Sequence, residues 1–445
     1  MVQPAGLEML TRAGIAQDFL DAGVRVRGTR FLGPGLAEMT SSSFAGIDCL
    51  HDYQCALPQW RTERLLRNQL QKLGGSVEHG VEVLSDEDAD GGVLTTLQLP
   101  DGTKETSWFR VVLGASGAHS VTRHTMHESL SGSTYAGHYI VADVRIGWPA
   151  SSEEGMMLFS ATGFVLLSPL PDQRWLLFVN SDEDDTSSEP PSAEQLVEIV
   201  NRRIGTDAGL HDIVWSSRFS MHNRIVPRFS DGRRFLLGDS AHLTSPIGGE
   251  GLNSALMDAA DIAWKLALVL KGRARPSLLD SYAIERGLAD HHALDVSDTM
   301  HKRVMELVRD FATGQLPPTE SADPVKLIAA ARARAMLDVS YAGSPFVGPS
   351  AGNRFAERAR LQGTTHHLLM FGAHCPDVFS LRWKGVVEVI DAVASGFSAN
   401  RAGVSDGSAV LVRPDGFVGF RAVPADAGGM AALEDFLGRH FIPIG

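Results

Sequence analysis

Residues 233–268 read RRFLLGDSAHLTSPIGGEGLNSALMDAADIAWKLAL. The apolar run Phe235, Leu236 and Leu237 predicts an interior strand, which the chain leaves through Gly238 and Asp239. In open α/β sheets, ligands sit beyond the carboxyl ends of the strands. An Asp at that point is placed to accept hydrogen bonds from a sugar hydroxyl. Pro246 stiffens the adjoining loop. Gly248, Gly249 and Gly251 carry no Cβ, so backbone can pass close to a flat ligand. A helix is expected to start near Leu252 and Asn253. Its first N–H groups lack partners, and its positive dipole end points back into the loop. A ligand that gains negative charge would be stabilised there. Ala255, Ala259, Ala260 and Ala263 give this helix a smooth packing face, and Leu256, Leu266 and Leu270 supply larger contacts. A glycine-rich turn ahead of an ordinary core helix is the competing reading, and physics alone leaves it open.

The elements that must position this loop are legible in outline. Residues 61–73 predict a helix, with Leu65, Leu66, Leu70 and Leu73 near one face. Residues 76–84 and 92–99 alternate like strands, and LPDGTKE has turn chemistry. FRVVLGASGAHS, residues 109–120, reads as a short buried strand entering a glycine turn. From about residue 137 the segments GHYIVADVRI, GFVLLSPLP and RWLLFVN predict a mostly antiparallel sheet inserted between two α/β pieces. The acidic run 182–189 is expected to be a solvated loop, and Ser192 to Gln195 a capping box for a helix over 193–204. Residues 276–310 are expected to be helical. A Pro-, Gly- and Ser-rich stretch at 342–352 marks a boundary, with a hairpin beyond it at 409–422 and a closing helix at 429–440.

The chain has 445 residues, 44% apolar and 21% charged, enough for two or three domains with real cores. A net charge of −13 leaves no basic excess to meet nucleic-acid phosphates. Cys49, Cys55 and Cys375 make no disulfide framework and fit a reducing cytoplasm. No apolar run approaches the roughly 20 residues that span a bilayer, and MVQPAGLEML has neither the basic nor the apolar region of a secretion signal. His291–His292 and His366–His367 are adjacent and point apart, while His124 and His127 have no third ligand nearby, so no metal site is expected. No G-x-S-x-G elbow is present.

The loop pattern resembles the second flavin-binding motif of the class A FAD-dependent aromatic hydroxylases, the p-hydroxybenzoate hydroxylase-like fold. The matching residues are Gly238, Asp239, Ala241, His242, Pro246, Gly248, Gly249, Gly251, Asn253, Asp258, Ala259, Trp264, Lys265 and Leu266, continued by LLDSYAIER at 278–286. Glu250 stands where Gln is frequent and Ser240 where Ala is frequent. The resemblance implies that Asp239 holds the ribityl or ribose part of FAD and that Pro246 lies near the isoalloxazine ring. Backbone at Leu252 and Asn253 would then face the flavin edge that becomes negative on reduction. LPQWRTERLLRNQLQKLG, residues 57–74, resembles the family segment in which the residue matching Gln59 meets the flavin or its phosphates. VVLGASGAHSVTR, residues 111–123, resembles the family's DG motif through Gly114, Ala115, Gly117, Ser120 and Arg123. Ser116 replaces the motif's Asp and keeps a hydrogen-bonding group without the charge. LVRPDGFVGFRA, residues 411–422, resembles the thioredoxin-like domain of phenol- and polyketide-hydroxylase relatives, here without a C-x-x-C pair.

The implied fold is α/β: an incomplete Rossmann-like FAD-binding domain (1–130 and 223–345), an inserted antiparallel β substrate domain (131–222) and a thioredoxin-like domain (346–445). The family's opening strand, G-x-G-x-x-G and helix have no counterpart here, since GPGLAE at 33–38 places Glu38 at the third glycine. Residues 1–24 match the family segment just after that unit, whose absence would expose two strand edges and remove a pyrophosphate-binding helix N-terminus. A start at an internal Met, a truncated remnant and completion by a partner segment all remain open, and weak or absent flavin is expected of the chain as given. The resemblance implies an FAD monooxygenase reduced by NAD(P)H, which hydroxylates a phenolic or polycyclic aromatic substrate with O₂ through a flavin C4a-hydroperoxide. Residues 137–220 would form the substrate wall. The alternatives are a flavin reductase or oxidase on the same scaffold, or a non-catalytic binding protein. The expected partners are a small aromatic molecule and O₂, with no nucleic acid or membrane, and a homodimer as the candidate assembly.

Overall fold

The structure is a computed structural model, and it describes residues 1–148, 150–182, 187, 189–315 and 324–444. The middle of the acidic run at 182–189 lies outside the described residues.

The largest layer is a seven-stranded sheet. Its order is His211–Phe219, Tyr139–Arg145, Arg174–Asn180, Gly163–Leu170, Glu154–Ser160, Gly28–Leu32 and Glu38–Ser43. All neighbours are antiparallel except Gly28–Leu32, which lies parallel to Glu154–Ser160. The inserted sheet thus extends beyond 131–222 and takes in two strands from residues 28–43. Side chains alternate between its faces. Met156, Leu158, Val165, Leu167, Leu177 and Val179 pack on one side against Leu196, Val200 and Ile204 of the helix Ala193–Ile204. Met157, Phe159, Phe164 and Phe178 point to the other side, toward Ile247 and Val304. Both faces are covered, so RWLLFVN carries no polar alternation. The covering helix begins at the expected capping box, with Ser192 and Gln195 bonding each other's backbone reciprocally.

The strand that leads to the glycine loop belongs to a second, three-stranded sheet. Its order is Ser230–Asp231, Arg234–Leu236 and Val112–Gly114, and Phe235 sits opposite Leu113 in a parallel pair. Phe235 and Leu236 are buried, as an interior strand requires, while Val112–Gly114 is an edge strand with Leu113 44% exposed. A separate meander is built from Glu82–Ala89, Gly92–Gln98 and Lys104–Phe109. The first of these strands starts later than the expected 76–84. Gly80 adopts φ +77, a left-handed conformation that a strand does not accommodate.

Two helices come after the loop. Gly251–Leu270 runs back along the small sheet, and Asp280–Thr313 continues for 34 residues from a single 3-10 turn at Pro276–Leu279. The last part of the chain forms a four-stranded sheet ordered Val387–Asp391, His366–Phe371, Ser408–Val412, Val418–Ala422. Helix Asp377–Arg382 connects the two parallel strands, and Ala427–His440 closes the chain. Trp264 and Leu268 of the loop helix share a core with Leu368, Leu411, Leu433 and Phe436 of this unit.

Buried charges join the same surfaces. Arg413 donates from Nη1 to Glu285 at 2.8 Å and from Nη2 to Asp261 at 3.1 Å. Lys265 Nζ reaches Asp261 at 2.6 Å and Glu285 at 2.8 Å, and Trp264 Nε1 donates to Asp415 at 3.0 Å. Each of these groups is buried. At the other end of the interface, Glu8 accepts from Arg358 at 2.7 Å and pairs with Arg354.

Candidate functional site

The turn after Leu237 is held from beneath. Gly238 takes φ +54 and packs against Ala255, where a Cβ would stand 3.1 Å from the Ala255 Cβ. Its N–H donates to Asp258 Oδ2 at 2.8 Å. Asp258, within the loop helix, also pairs with His242 Nε2 at 2.9 Å and Arg286 Nε at 2.7 Å. Arg286 continues to Asp290 at 2.7 Å and to the Tyr341 hydroxyl at 3.1 Å. Burial alone would push the His242 imidazole down, but Asp290 and Asp258 outweigh it and raise it to about 9. Against the same desolvation, Arg286 and His242 hold the Asp258 carboxyl well below the usual carboxylate range. His242, Asp258 and Asp290 come close enough to share a cation, and the Arg286 guanidinium already bridges the two carboxylates. The consequence for the site is simple. Asp258 fixes the turn, and Asp239 is presented on the surface with no hydrogen-bond partner among the described residues.

The 111–123 segment lies beside this turn. Gly117 N–H donates to Ser240 Oγ at 3.0 Å, and Arg123 donates to the carbonyls of Ser240 and Ala118. Arg123 is buried, and its guanidinium is used by backbone, so it braces two turns against each other. Ser116 is exposed at the tip. Gln59 begins the helix Gln59–Lys72, is exposed, and donates to Glu63 at 2.9 Å. It does not line the large cavity behind the glycine loop.

Pro246, Ile247, Gly248 and Gly249 form one wall of that cavity, which measures about 460 Å³. The sheet supplies Met157, Phe159, Leu166 and Phe178, and the long helix supplies Met300, Val304 and Leu307. Residues of the 137–220 segment thus line the cavity, together with Thr29 and Phe31 from the early strand. Gly249 takes φ +76, and a Cβ there would come 3.1 Å from Gln3 Nε2. Gln3 straps the loop: it donates to Gly248 O at 2.9 Å, accepts from Gln54 Nε2 at 2.7 Å, and its N–H donates to Asn253 Oδ1 at 2.8 Å. Asn253 Nδ2 in turn donates to Gly249 O at 2.8 Å. Asn253 is thus buried as a clamp, while Leu252 beside it is 39% exposed. Sequence reasoning misses Gln3 and Gln54, because a lone Gln near the start of a chain carries no pattern.

The loop helix starts at Gly251 without a capping side chain among the described residues, which leaves its first N–H groups open there. Its N-cap, Glu250, is 1% exposed, and neither carboxylate oxygen has a hydrogen-bond partner among the described residues. Burial pushes this carboxyl up to about 7. A raised folded-state pKa means that the proton favours folding. The contribution is full below the unfolded value of 4.5 and is lost as pH rises through about 7. Glu250→Gln, which carries no charge, is therefore expected to be more stable than the parent by about 1–3 kcal/mol at pH 8, with the gain shrinking toward pH 4.5. Urea melts of both proteins across that range check this, and a gain independent of pH would contradict it.

These residues fit a flavin. Gly248 and Gly249 present backbone to the cavity, the helix N-terminus has no capping side chain, and Asp239 has no hydrogen-bond partner among the described residues and can accept from hydroxyls. Comparison with known proteins agrees. The family model described as the FAD binding domain matches residues 1–297, and the chain belongs to this family. It is 34% identical over 287 residues to the uncharacterized aromatic compound monooxygenase YhjG of Bacillus subtilis, covering 64% of this chain and 56% of that one. It is 29% identical to the 12-dehydrotetracycline 5-monooxygenase/anhydrotetracycline 6-monooxygenase of Streptomyces rimosus, over 98% of this chain and 90% of that one. Among solved structures, the OxyS anhydrotetracycline hydroxylase from Streptomyces rimosus superposes with TM-score 0.76 at 25% identity, covering 100% of this chain and 91% of that chain. The ternary complex of aklavinone-11 hydroxylase with FAD and aklavinone shares the fold, with TM-score 0.78 at 23% identity and 98% and 90% coverage. The resemblance to FAD-dependent aromatic hydroxylases read from the loop is borne out.

Proposed function

We propose that the chain works as an FAD-dependent, NAD(P)H-using monooxygenase that hydroxylates a phenolic or polycyclic aromatic molecule with O₂. The observation that carries this reading is the apolar cavity of about 460 Å³, which is bounded on one side by the Pro246–Gly249 loop and on the other by sheet residues such as Phe159 and Phe178. FAD bound along the loop would supply electron transfer and oxygen activation, chemistry that belongs to the cofactor. In this reading Asp239 accepts ribityl or ribose hydroxyls, and Gly238 keeps the turn tight. Gly249, Gly251 and Pro246 let the ring lie against backbone. The open N–H groups at Leu252 and Asn253 stabilise negative charge on the ring edge. Ser116 lies toward the phosphates, beside the turn that Arg123 braces. Met157, Leu166 and Phe178 exclude water and orient a flat substrate by contact. The C-terminal unit is read as thioredoxin-like and structural, on its strand order and the lack of a C-x-x-C pair. The three cysteines of the chain are unpaired, which favours a reducing cytoplasm.

A titration of the purified chain with FAD, followed at about 450 nm, tests the cofactor assignment. Asp239→Ala is expected to weaken FAD binding about 10–100-fold, as loss of charge-assisted hydrogen bonds predicts. The bound flavin should bleach with NAD(P)H, and O₂ uptake should rise with an aromatic substrate. FAD binding that is indifferent to Asp239→Ala would sink the placement, and bleaching without aromatic-stimulated O₂ uptake would sink the hydroxylase reading.

A further inference from the structure

Most buried arginines of this chain have carboxylate or carbonyl partners. Arg413 meets Glu285, Asp261 and Asp415; Arg358 meets Glu8; Arg12 donates to the carbonyls of Arg358 and Pro414. Arg334 differs. It ends the helix Pro324–Arg334, lines the cavity, and has no carboxylate within 4.0 Å among the described residues. Its hydrogen bonds among those residues go to two neutral hydroxyls, Ser42 Oγ and Thr29 Oγ1. Phe44 lies under the guanidinium, 4.9 Å from ring centroid to Cζ, and fixes its plane. A guanidinium carries five N–H donors in a planar fork, so three remain for a ligand. Burial lowers the pKa of the Arg334 side chain, opposed by Glu250, the one acid that acts on it; Glu250 is itself pushed up to about 7 and leaves the cation undercompensated at neutral pH. Two other cationic groups belong to residues of the cavity: Arg303, which is exposed and pairs with Glu306 at 3.4 Å, and the amino group of Met1, whose pKa burial lowers. A half-buried guanidinium that lies over an aromatic ring, has only neutral hydroxyl partners and borders an apolar cavity is a receptor for a planar anion.

We infer that Arg334 is the specificity-determining residue of this cavity and that it recognises an ionised oxygen, as phenolate, enolate or carboxylate, on an aromatic substrate. The inference rests on the reading of the cavity as the substrate site. Two flat probes of matching shape separate the parts: 2-naphthoate and its uncharged counterpart 2-naphthamide, each titrated against the full chain with and without FAD. Naphthoate is expected to bind about 10–100-fold more tightly than the amide. Met157→Trp, which fills the cavity, should abolish both. Arg334→Met should erase the preference and leave the amide within about twofold of its original Kd. Equal binding of the two probes to the parent protein overturns the anion preference alone. Failure of both probes to bind overturns the cavity reading and the inference with it. Naphthoate binding that FAD abolishes would assign the guanidinium to the flavin edge, against the inference. If Arg334→Met does not fold, Arg334→Gln takes its place: a preference that it erases assigns the recognition to Arg334, and one that survives overturns the assignment.

Discussion

Arg413→Met is expected to lower the stability of the whole chain by about 3–5 kcal/mol, the range for removing one partner from a buried ion network. The magnitude comes from the groups left behind. Asp261, Glu285 and Asp415 are all buried, and Lys265 would be their sole remaining cation in the cluster among the described residues. Water cannot reach these carboxylates, so the loss is a desolvation penalty rather than the modest value of a surface pair. Burial raises Glu285, but Arg413 and Lys265 overcome this and hold it at about 2. A depressed carboxyl contributes stability that is present above its unfolded value of 4.5 and lost as pH falls toward 2. The variant should therefore lose most at neutral pH, and its deficit should narrow as the medium is acidified. Urea melts at pH 7 and pH 4 measure both effects. Arg413 lies in the turn between the strands Ser408–Val412 and Val418–Ala422, whereas Asp261 and Glu285 belong to the two helices behind the glycine loop. A single transition in the parent that splits into two in the variant would show this network coupling the units; a loss under 1 kcal/mol would refute the argument.

Asp258→Ala is expected to lose a similar amount, about 3–5 kcal/mol, and to weaken FAD as well. Three donors lose their acceptor at once: the Gly238 N–H, His242 and Arg286. The first of these holds the turn that presents Asp239, so the FAD deficit should exceed that of a neutral surface change. Asp258→Asn keeps an acceptor for Gly238 without the charge and should lie between. The pH dependence is diagnostic. His242 is raised from 6.5 to about 9, so its contribution is full below pH 6.5 and is lost as pH rises through about 9. The stability of the parent should fall across that window, and the slope should flatten in both variants. An Asp258→Ala protein that binds FAD as tightly as the parent would remove Asp258 from the positioning of the turn.

Several features are readable because their causes are local. The capping box at Ser192 needs only four residues, and the hairpin around Pro414–Gly416 needs only its turn chemistry. The glycine loop is of the same kind: Gly238 and Gly249 adopt positive φ, a conformation that glycine reaches without strain. The same locality explains the misplaced strand start at 76–84, where a weak alternation is broken by the turn at Gly80. Arg123 matches the motif by type and spacing, and its donors meet the carbonyls of Ser240 and Ala118. Position in a motif does not reveal whether a side chain faces the ligand or the backbone beneath it. Gln3 and Gln54 give no signal, since the bond from Gln3 to Gly248 spans 245 residues. Nor can the joining of residues 28–32 to the inserted sheet be read, because a parallel pairing with 154–160 depends on what both faces bury.

Residue order alone specifies the loop: a strand end, an Asp after a glycine turn, and a helix that starts without a capping side chain. Backbone sterics and the helix dipole act within a few residues, so residue order suffices to specify them. What stands opposite the loop depends on the packing of distant segments. Met157 and Phe178 face the loop across the cavity, Asp258 locks the turn from below, and Arg413 ties the loop helix to the last sheet. Those arrangements arise from burial, which brings together residues far apart in the chain and favours whichever neighbours satisfy apolar area and buried charge.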